Sequence, residues 1–365
     1  MDEKVRKRLQ QLERLEGYVM PDSTPLEGQP AAPADIIKLD ANENVFLTKD
    51  WLHALAMEVI EELDPRFYST HEYQQLVRAL SIRHDITPQH IVLGNGGDQI
   101  IDFVAKTFLD VGSIAVSVEP TYSFYRLRAK LAGAQYVTVP LNDDFSLNVN
   151  RLLDAARDAS MMLLCSPNNP TGNQFAAEHL REVLQAFDGI VFVDEAYADF
   201  ADENLVHWVA EFEHLVILRT FSKAFGLAGL RLGYLVAHPT LARPFAEKIQ
   251  YPYPVSAFTL ALALKLMQQI DVVQAAIERM KSERARLIRE LASIEGISPF
   301  QSQSNFVLFQ LALPAERVHS QLIDQGIFLK HVGTVLGMNN CLRTTVGTPP
   351  MNDRLLETLR RICQS

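Results

Sequence analysis

Six short apolar runs punctuate the middle of the chain: "HIVLGNGG", "SIAVSVEP", "MMLLCSPNNP", "GIVFVDEAY", "LVILRTFSK" and "LRLGYLVAHP". Helical patterns fill the roughly 20–30 residues that separate them. Apolar runs without polar alternation are strands buried on both faces. Strands of that kind alternating with helices build βαβ units around a mostly parallel sheet. The expected class is therefore α/β, with helices flanking the sheet.

The 365 residues exceed the roughly 250–300 at which one core stops growing, so a second, smaller domain is expected. Val5, Leu9, Leu12 and Leu15 recur at helical spacing and predict an amphipathic helix; the four prolines from Pro21 to Pro33 predict an irregular stretch after it. "TKDWLHALAMEVIEEL" predicts a helix capped by Asp50, with Leu52, Leu55, Val59 and Leu63 on one face and Pro65 as its stop. After Pro254, two helical patterns precede the strands "SNFVLFQL", "GIFLKHV" and "CLRTTVG". A closing helix aligns Leu355, Leu356, Leu359 and Ile362. That mixture reads as a smaller α+β domain. We set the large domain at 46–253 and assign 1–45 and 254–365 to the small one.

A formal net charge of −10 argues against nucleic acid or an anionic membrane as partner. An anionic ligand would have to be drawn by a local cationic pocket. Cys165, Cys341 and Cys363 share no close spacing and the histidines are scattered, so neither disulfides nor a metal site is expected. No window approaches the ~18 apolar residues of a membrane span, and the first residues lack the apolar core of a signal peptide. The expectation is a reduced, cytoplasmic protein.

The polar residues fall where the strands end. "MMLLC" leads to Asn169, "IVFVD" ends at Asp194 with Tyr197 just beyond, and "VILRT" ends at Thr220 before Ser222 and Lys223. In open α/β sheets the carboxyl ends of the strands open on one crevice, where ligands bind. The same edge carries "VLGNGGDQI", whose Gly94, Gly96 and Gly97 let a helix N-terminus approach a phosphate. It is not the dinucleotide fingerprint, because Gln99 stands where the third glycine belongs. Arg231 could add a bidentate grip.

Pyridoxal phosphate asks for this set. Its phosphate suits the glycine turn, its ring nitrogen suits Asp194, its phenolic oxygen suits Asn169 and Tyr197, and its aldehyde suits Lys223 as a Schiff base. Tyr122, in "EPTYSFY", could lie on the ring. Each residue taken singly has a plainer reading: Asp194 as a helix cap, Lys223 as a surface lysine, Asn169 as a turn residue, Tyr122 as core. Four such coincidences at one sheet edge outweigh those readings.

"SPNNPTG", "DEAY" and "TFSKAFGLAGLRLGY", in that order, resemble the fold-type I pyridoxal-phosphate aminotransferases. "LDANEN", "VLGNGGDQ", "PTYSFY" and "LRTTVGT" bring the chain closest to the histidinol-phosphate aminotransferases among them. The resemblance implies a seven-stranded, mostly parallel sheet. It makes Lys223 the catalytic proton carrier, Asp194 the partner of the ring nitrogen, and Asn169 and Tyr197 the partners of the ring oxygen. Gly96, Gly97, Asp98, Thr220, Ser222 and Arg231 would hold the phosphate. Tyr68 would reach the neighbouring subunit's cofactor in a homodimer. Tyr18, Asn42, Tyr253, Lys330 and Arg343 fall where such enzymes bind substrate. The implied reaction converts L-histidinol phosphate and 2-oxoglutarate into imidazole-acetol phosphate and L-glutamate, a step of histidine biosynthesis.

The chain departs from the pattern in places. Lys330 replaces the usual arginine and loses its planar fork; "FYS" replaces "RYP", and Val45 replaces a proline. These changes touch substrate choice. An aromatic amino-acid aminotransferase and a threonine-phosphate decarboxylase are the rival readings within this chemistry. A non-catalytic, ligand-sensing relative is the rival outside it, against which the presence of Lys223 speaks.

Overall fold

The computed structural model describes residues 2–15, 17 and 36–364. A two-residue strand, β1 (Ile37–Lys38), precedes the main sheet. That sheet comprises β2 (Ile91–Gly94), β3 (Ile114–Glu119), β4 (Gln135–Pro140), β5 (Met161–Cys165), β6 (Ile190–Asp194), β7 (Leu215–Thr220) and β8 (Gly233–Ala237). Their order across it is β2-β8-β7-β6-β5-β3-β4. Strands β3 to β7 pair in parallel, while β8 runs antiparallel to both β7 and β2. Every residue of β5, β7 and β8 is buried, as their unbroken apolar runs require. Helices Gly96–Phe108, Phe124–Ala132 and Val149–Ala155 pack against the sheet. The expected α/β class with a seven-stranded, mostly parallel sheet is what the chain adopts.

The C-terminal part adds β9 (Ile297–Pro299), β10 (Phe306–Leu311), β11 (Ile327–Phe328), β12 (Lys330–Val335) and β13 (Met338–Thr345). Four of these form an antiparallel sheet in the order β12-β13-β10-β9. The run "GIFLKHV", read above as one strand, is two: β11 pairs in parallel with β1, and after Leu329 the chain joins the other sheet as β12. Helix Pro349–Cys363 buries Leu355, Leu356, Leu359 and Ile362, the four residues aligned in the sequence.

The predicted helix near residue 50 runs from Lys49 to Glu62, but Thr48 caps it in place of Asp50, its side chain accepting from the Trp51 N–H. The threonine stands in extended conformation one residue before the first turn, where an N-cap must be. Asp50 instead sits inside that turn, where its charge favours the helix dipole. The N-terminal helix spans Glu3–Glu13, with Val5, Leu9 and Leu12 exposed. Among the described residues no single helix is long and apolar enough to cross a membrane.

Candidate active site

The reversed strand β8 shapes one corner of the crevice. Its first residue, Gly233, pairs with Gly94 at the end of β2 and with Thr220 at the end of β7. The residues just before it therefore arrive at the carboxyl edge, and Arg231 with them. Arg231 Nη2 donates to Asp98 Oδ2 at 3.0 Å, and Nη1 lies 3.5 Å from Ser222 Oγ. Asp98 also accepts from the Tyr122 hydroxyl at 3.2 Å. A side chain on Gly233 would stand 3.0 Å from the backbone of Gly96 and Gly97, so only glycine lets the two segments meet. Gly96 has φ +77°, and a Cβ there would lie 2.7 Å from Arg231 Nη2.

Helix Gly96–Phe108 begins at this point, aiming its free N–H groups and dipole into the corner. Gln99 Oε1 accepts from the Asn95 N–H at 2.7 Å, fixing the loop by a side chain where a dinucleotide turn has a glycine. The Thr220 hydroxyl is engaged inside the protein: it donates to the Leu232 carbonyl and accepts from the Ser222 N–H.

Asp194 closes β6 on the next strand. Its carboxylate accepts from the Tyr125 hydroxyl at 2.7 Å and from the Ala196 N–H at 2.9 Å. Among the described residues no cation forms an ion pair with it. Burial pushes its carboxyl up to about 6, opposed by those two hydrogen bonds. A buried carboxylate whose charge lacks a cationic partner is arranged to meet one that arrives with a ligand.

Lys223 lies beyond the end of β7. Its ammonium donates to the Ala41 carbonyl at 2.9 Å and stands 5.8 Å from the Tyr197 ring centroid. Burial, joined by the charge of Arg343, brings the amine down to about 8. The Tyr197 hydroxyl accepts from Asn42 Nδ2 at 3.0 Å, and burial pushes its pKa above the ordinary tyrosine value. Asn42 is held in left-handed conformation, φ 56°, with its N–H bonded to Thr345 and its carbonyl to Asn305. Arg343, buried on β13, donates 2.6 Å bonds to Asn169 Oδ1 and to the Asp40 carbonyl.

The strand ends thus bring together Asn169, Asp194, Tyr197, Ser222, Lys223 and Arg231, and β13 of the other sheet brings Arg343 to Asn169. Asn42 joins them, touching Tyr197. Lys330 sits directly opposite Arg343 in the register of β12 and β13. Tyr68 and Tyr253 stand apart from these contacts: both are exposed and stack on each other at 3.9 Å. Tyr18 lies outside the described residues. Two participants escaped the sequence reading. Tyr125 is three positions beyond Tyr122 in "TYSFY", and the aromatic repeat was its signal. Ala41 acts through its backbone, which residue type does not announce.

The arrangement offers an anion cradle, a buried carboxylate awaiting a positive partner, and an amine that is neutral in part near pH 8. Those three suit a ligand with a phosphate, a protonated ring nitrogen and a carbonyl carbon. Residues 34–359 match the family described as aminotransferase class I and II. The chain is 33% identical over 327 residues to a histidinol-phosphate aminotransferase of Caldanaerobacter subterraneus, covering 89% of this chain and 92% of that relative. A structure of the histidinol-phosphate aminotransferase from Sinorhizobium meliloti with pyridoxal-5'-phosphate superposes with a TM-score of 0.82 at 26% identity, over 90% of this chain and 91% of that one. The L-threonine-O-3-phosphate decarboxylase of Porphyromonas gingivalis superposes at 0.79 over 90% of this chain and 100% of that one; at 20% identity the likeness is one of fold.

Proposed function

The chain belongs to the class I and II aminotransferases, and on that premise we propose that it transfers the amino group of L-histidinol phosphate to 2-oxoglutarate, giving imidazole-acetol phosphate and L-glutamate. It is a pyridoxal-phosphate-dependent enzyme. The bound cofactor supplies an electron-withdrawing ring that acidifies the substrate carbon bearing the nitrogen.

The protein's residues do the rest. The helix N-terminus at Gly96–Gly97, the Asp98 N–H, Ser222 and Arg231 bind the phosphate. Asp194 holds the proton on the ring nitrogen, and Asn169 with Tyr197 orients the ring oxygen. Tyr122, tied to Asp98, offers its face to the ring. Lys223 Nζ, brought down to about 8, takes the proton from the substrate carbon and returns it on the other side of the transfer. Arg343 binds the anionic end of donor and acceptor in turn.

The register of the small sheet supports an anionic substrate. Lys330 is the register partner of Arg343 across β12 and β13, and Arg343 in turn reaches Asn169. In a chain of net charge −10 that pair is a local exception, and it suits a phosphate as well as a carboxylate. A threonine-phosphate decarboxylase would use the same pair, so the product decides. Incubation with histidinol phosphate and 2-oxoglutarate is expected to yield glutamate. Release of CO2 from threonine phosphate, or preference for phenylalanine as donor, would overturn the assignment.

The assembly we propose is a homodimer in which Tyr68 completes the neighbouring phosphate site. Phe67, Tyr68, Tyr251 and Tyr253 support it by exposing a cluster of aromatic surface on one subunit.

A further inference from the structure

Asp194 has two carboxylate oxygens and, among the described residues, one side-chain hydrogen bond. That bond comes from Tyr125, whose hydroxyl lies 2.7 Å from Oδ2, while the Ala196 N–H serves Oδ1. Tyr125 is fully buried at the start of helix Phe124–Ala132. Its ring is wedged edge-on between Tyr122, 5.5 Å away, and Phe192 of β6, 6.4 Å away. One side chain thus touches both the aromatic ring offered to the cofactor and the carboxylate offered to its nitrogen.

We propose that Tyr125 is a positioning residue that keeps the Asp194 carboxylate ionised and oriented, and so keeps the proton of the ion pair on the cofactor's ring nitrogen. This rests on reading Asp194 as the partner of that nitrogen. The chemistry follows from where the proton of the pair resides. It can sit on the nitrogen, leaving a carboxylate and a cation, or on the carboxyl, leaving both neutral. A phenol donating to the carboxylate favours the first arrangement; its loss favours the second.

The other titratable groups facing Asp194 are Cys165 on β5, Lys223, Asp98 and Tyr197. Cys165 is the register partner of Asp194; its thiol donates to the Pro167 carbonyl and also interacts with the Tyr125 hydroxyl. Lys223 favours the carboxylate and Asp98 opposes it. Burial holds the pKa of Tyr125 itself well above its ordinary value, so it stays a neutral donor across the working range.

The test loads the enzyme with ring-nitrogen-15-labelled pyridoxal phosphate and reads the nitrogen's chemical shift. In the Tyr125→Phe holoenzyme the resonance is expected to move from the protonated towards the unprotonated position at neutral pH. kcat should fall between about tenfold and a hundredfold, with KM within a few-fold of wild type. Asp194→Asn is the reference and should lose the protonated signal outright. Cys165→Ala removes the other side-chain partner of the Tyr125 hydroxyl and keeps its bond to Asp194, so it should leave the resonance in place. A wild-type shift in Tyr125→Phe, with Asp194→Asn altered, would overturn the role of Tyr125 alone. Equal movement in Cys165→Ala would reduce that role to packing, which also overturns it. A wild-type shift in Asp194→Asn would instead overturn the reading of Asp194.

Discussion

Lys223 donates to the carbonyl of Ala41 at 2.9 Å although 182 positions separate them. The amine is thereby held by an uncharged backbone acceptor, and burial keeps its pKa near 8.

The amine is expected to be indispensable. Lys223→Ala should lower turnover by at least about a thousandfold, at the upper end of what a positioned proton carrier contributes. The cofactor should still bind noncovalently, because Arg231, Ser222 and Asp194 are untouched. Borohydride should then fix cofactor to the wild type and leave the variant unlabelled. Near-normal turnover in the variant would sink the assignment.

Asp194 gives a prediction for the protein stripped of cofactor. Its carboxyl stands at about 6 in the fold against an ordinary 3.8, so the folded state holds more protons than the unfolded one between those values. Its contribution to stability therefore worsens as pH rises through that window, reaching a cost on the order of 2–3 kcal/mol above it. Asp194→Asn removes the charge and should melt higher than wild type at pH 7.5. The two curves should converge below pH 4. A more stable wild type at pH 7.5 would contradict this.

Gly96→Ala should damage the phosphate corner. The position has φ +77°, and the new methyl would press on Arg231 Nη2. We expect a fold destabilised by about 1–2 kcal/mol and a cofactor dissociation constant raised at least tenfold. Titration of the stripped variant with pyridoxal phosphate measures it.

Arg343 must serve both halves of the exchange. Arg343→Ala is expected to raise KM for donor and for acceptor by roughly 10- to 100-fold each, the loss of a charge-assisted bidentate contact. An unchanged KM for glutamate would count against the shared role.

The proposed dimer can be tested by complementation. Tyr68→Ala and Lys223→Ala subunits, each inactive alone, should regain roughly a quarter of wild-type activity when mixed. Half the dimers are then hybrids, and each hybrid has one site with both residues intact. Absence of recovery after proven subunit exchange would exclude a tyrosine contributed across the interface.

Much of this site was legible in the sequence because α/β topology places strand ends together. Asn169, Asp194 and Lys223 needed only their positions after three apolar runs. Arg231 was named for its charge, but its route into the corner was not visible: "GYLVA" carries nothing to mark it as the one strand that runs backwards. Thr220 was read as a phosphate ligand, and its hydroxyl instead braces the turn that presents Ser222. The split of "GIFLKHV" into two sheets depends on β1, a partner of two residues nearly 300 positions upstream that no local pattern could announce. Tyr125 is a fully buried core residue to which the sequence assigns no role; only its 2.7 Å contact with Asp194 sets it apart from its neighbours.

The stretch from Leu39 to Asn44 has a consequence for motion. Leu39 exchanges backbone bonds with Phe328 and Thr345, Asp40 receives Arg343, Ala41 receives Lys223, Asn42 reaches Tyr197, and Asn44 binds the carbonyl of Ala224. Five of these six residues thus act as a seam between the seven-stranded and four-stranded sheets, with the reactive amine as one of its stitches. Lys223 must leave the Ala41 carbonyl to work, and the carbonyl just before it, that of Asp40, is the one that holds Arg343. A ligand that draws the amine away therefore acts on the same short segment that positions the arginine, without having to touch both.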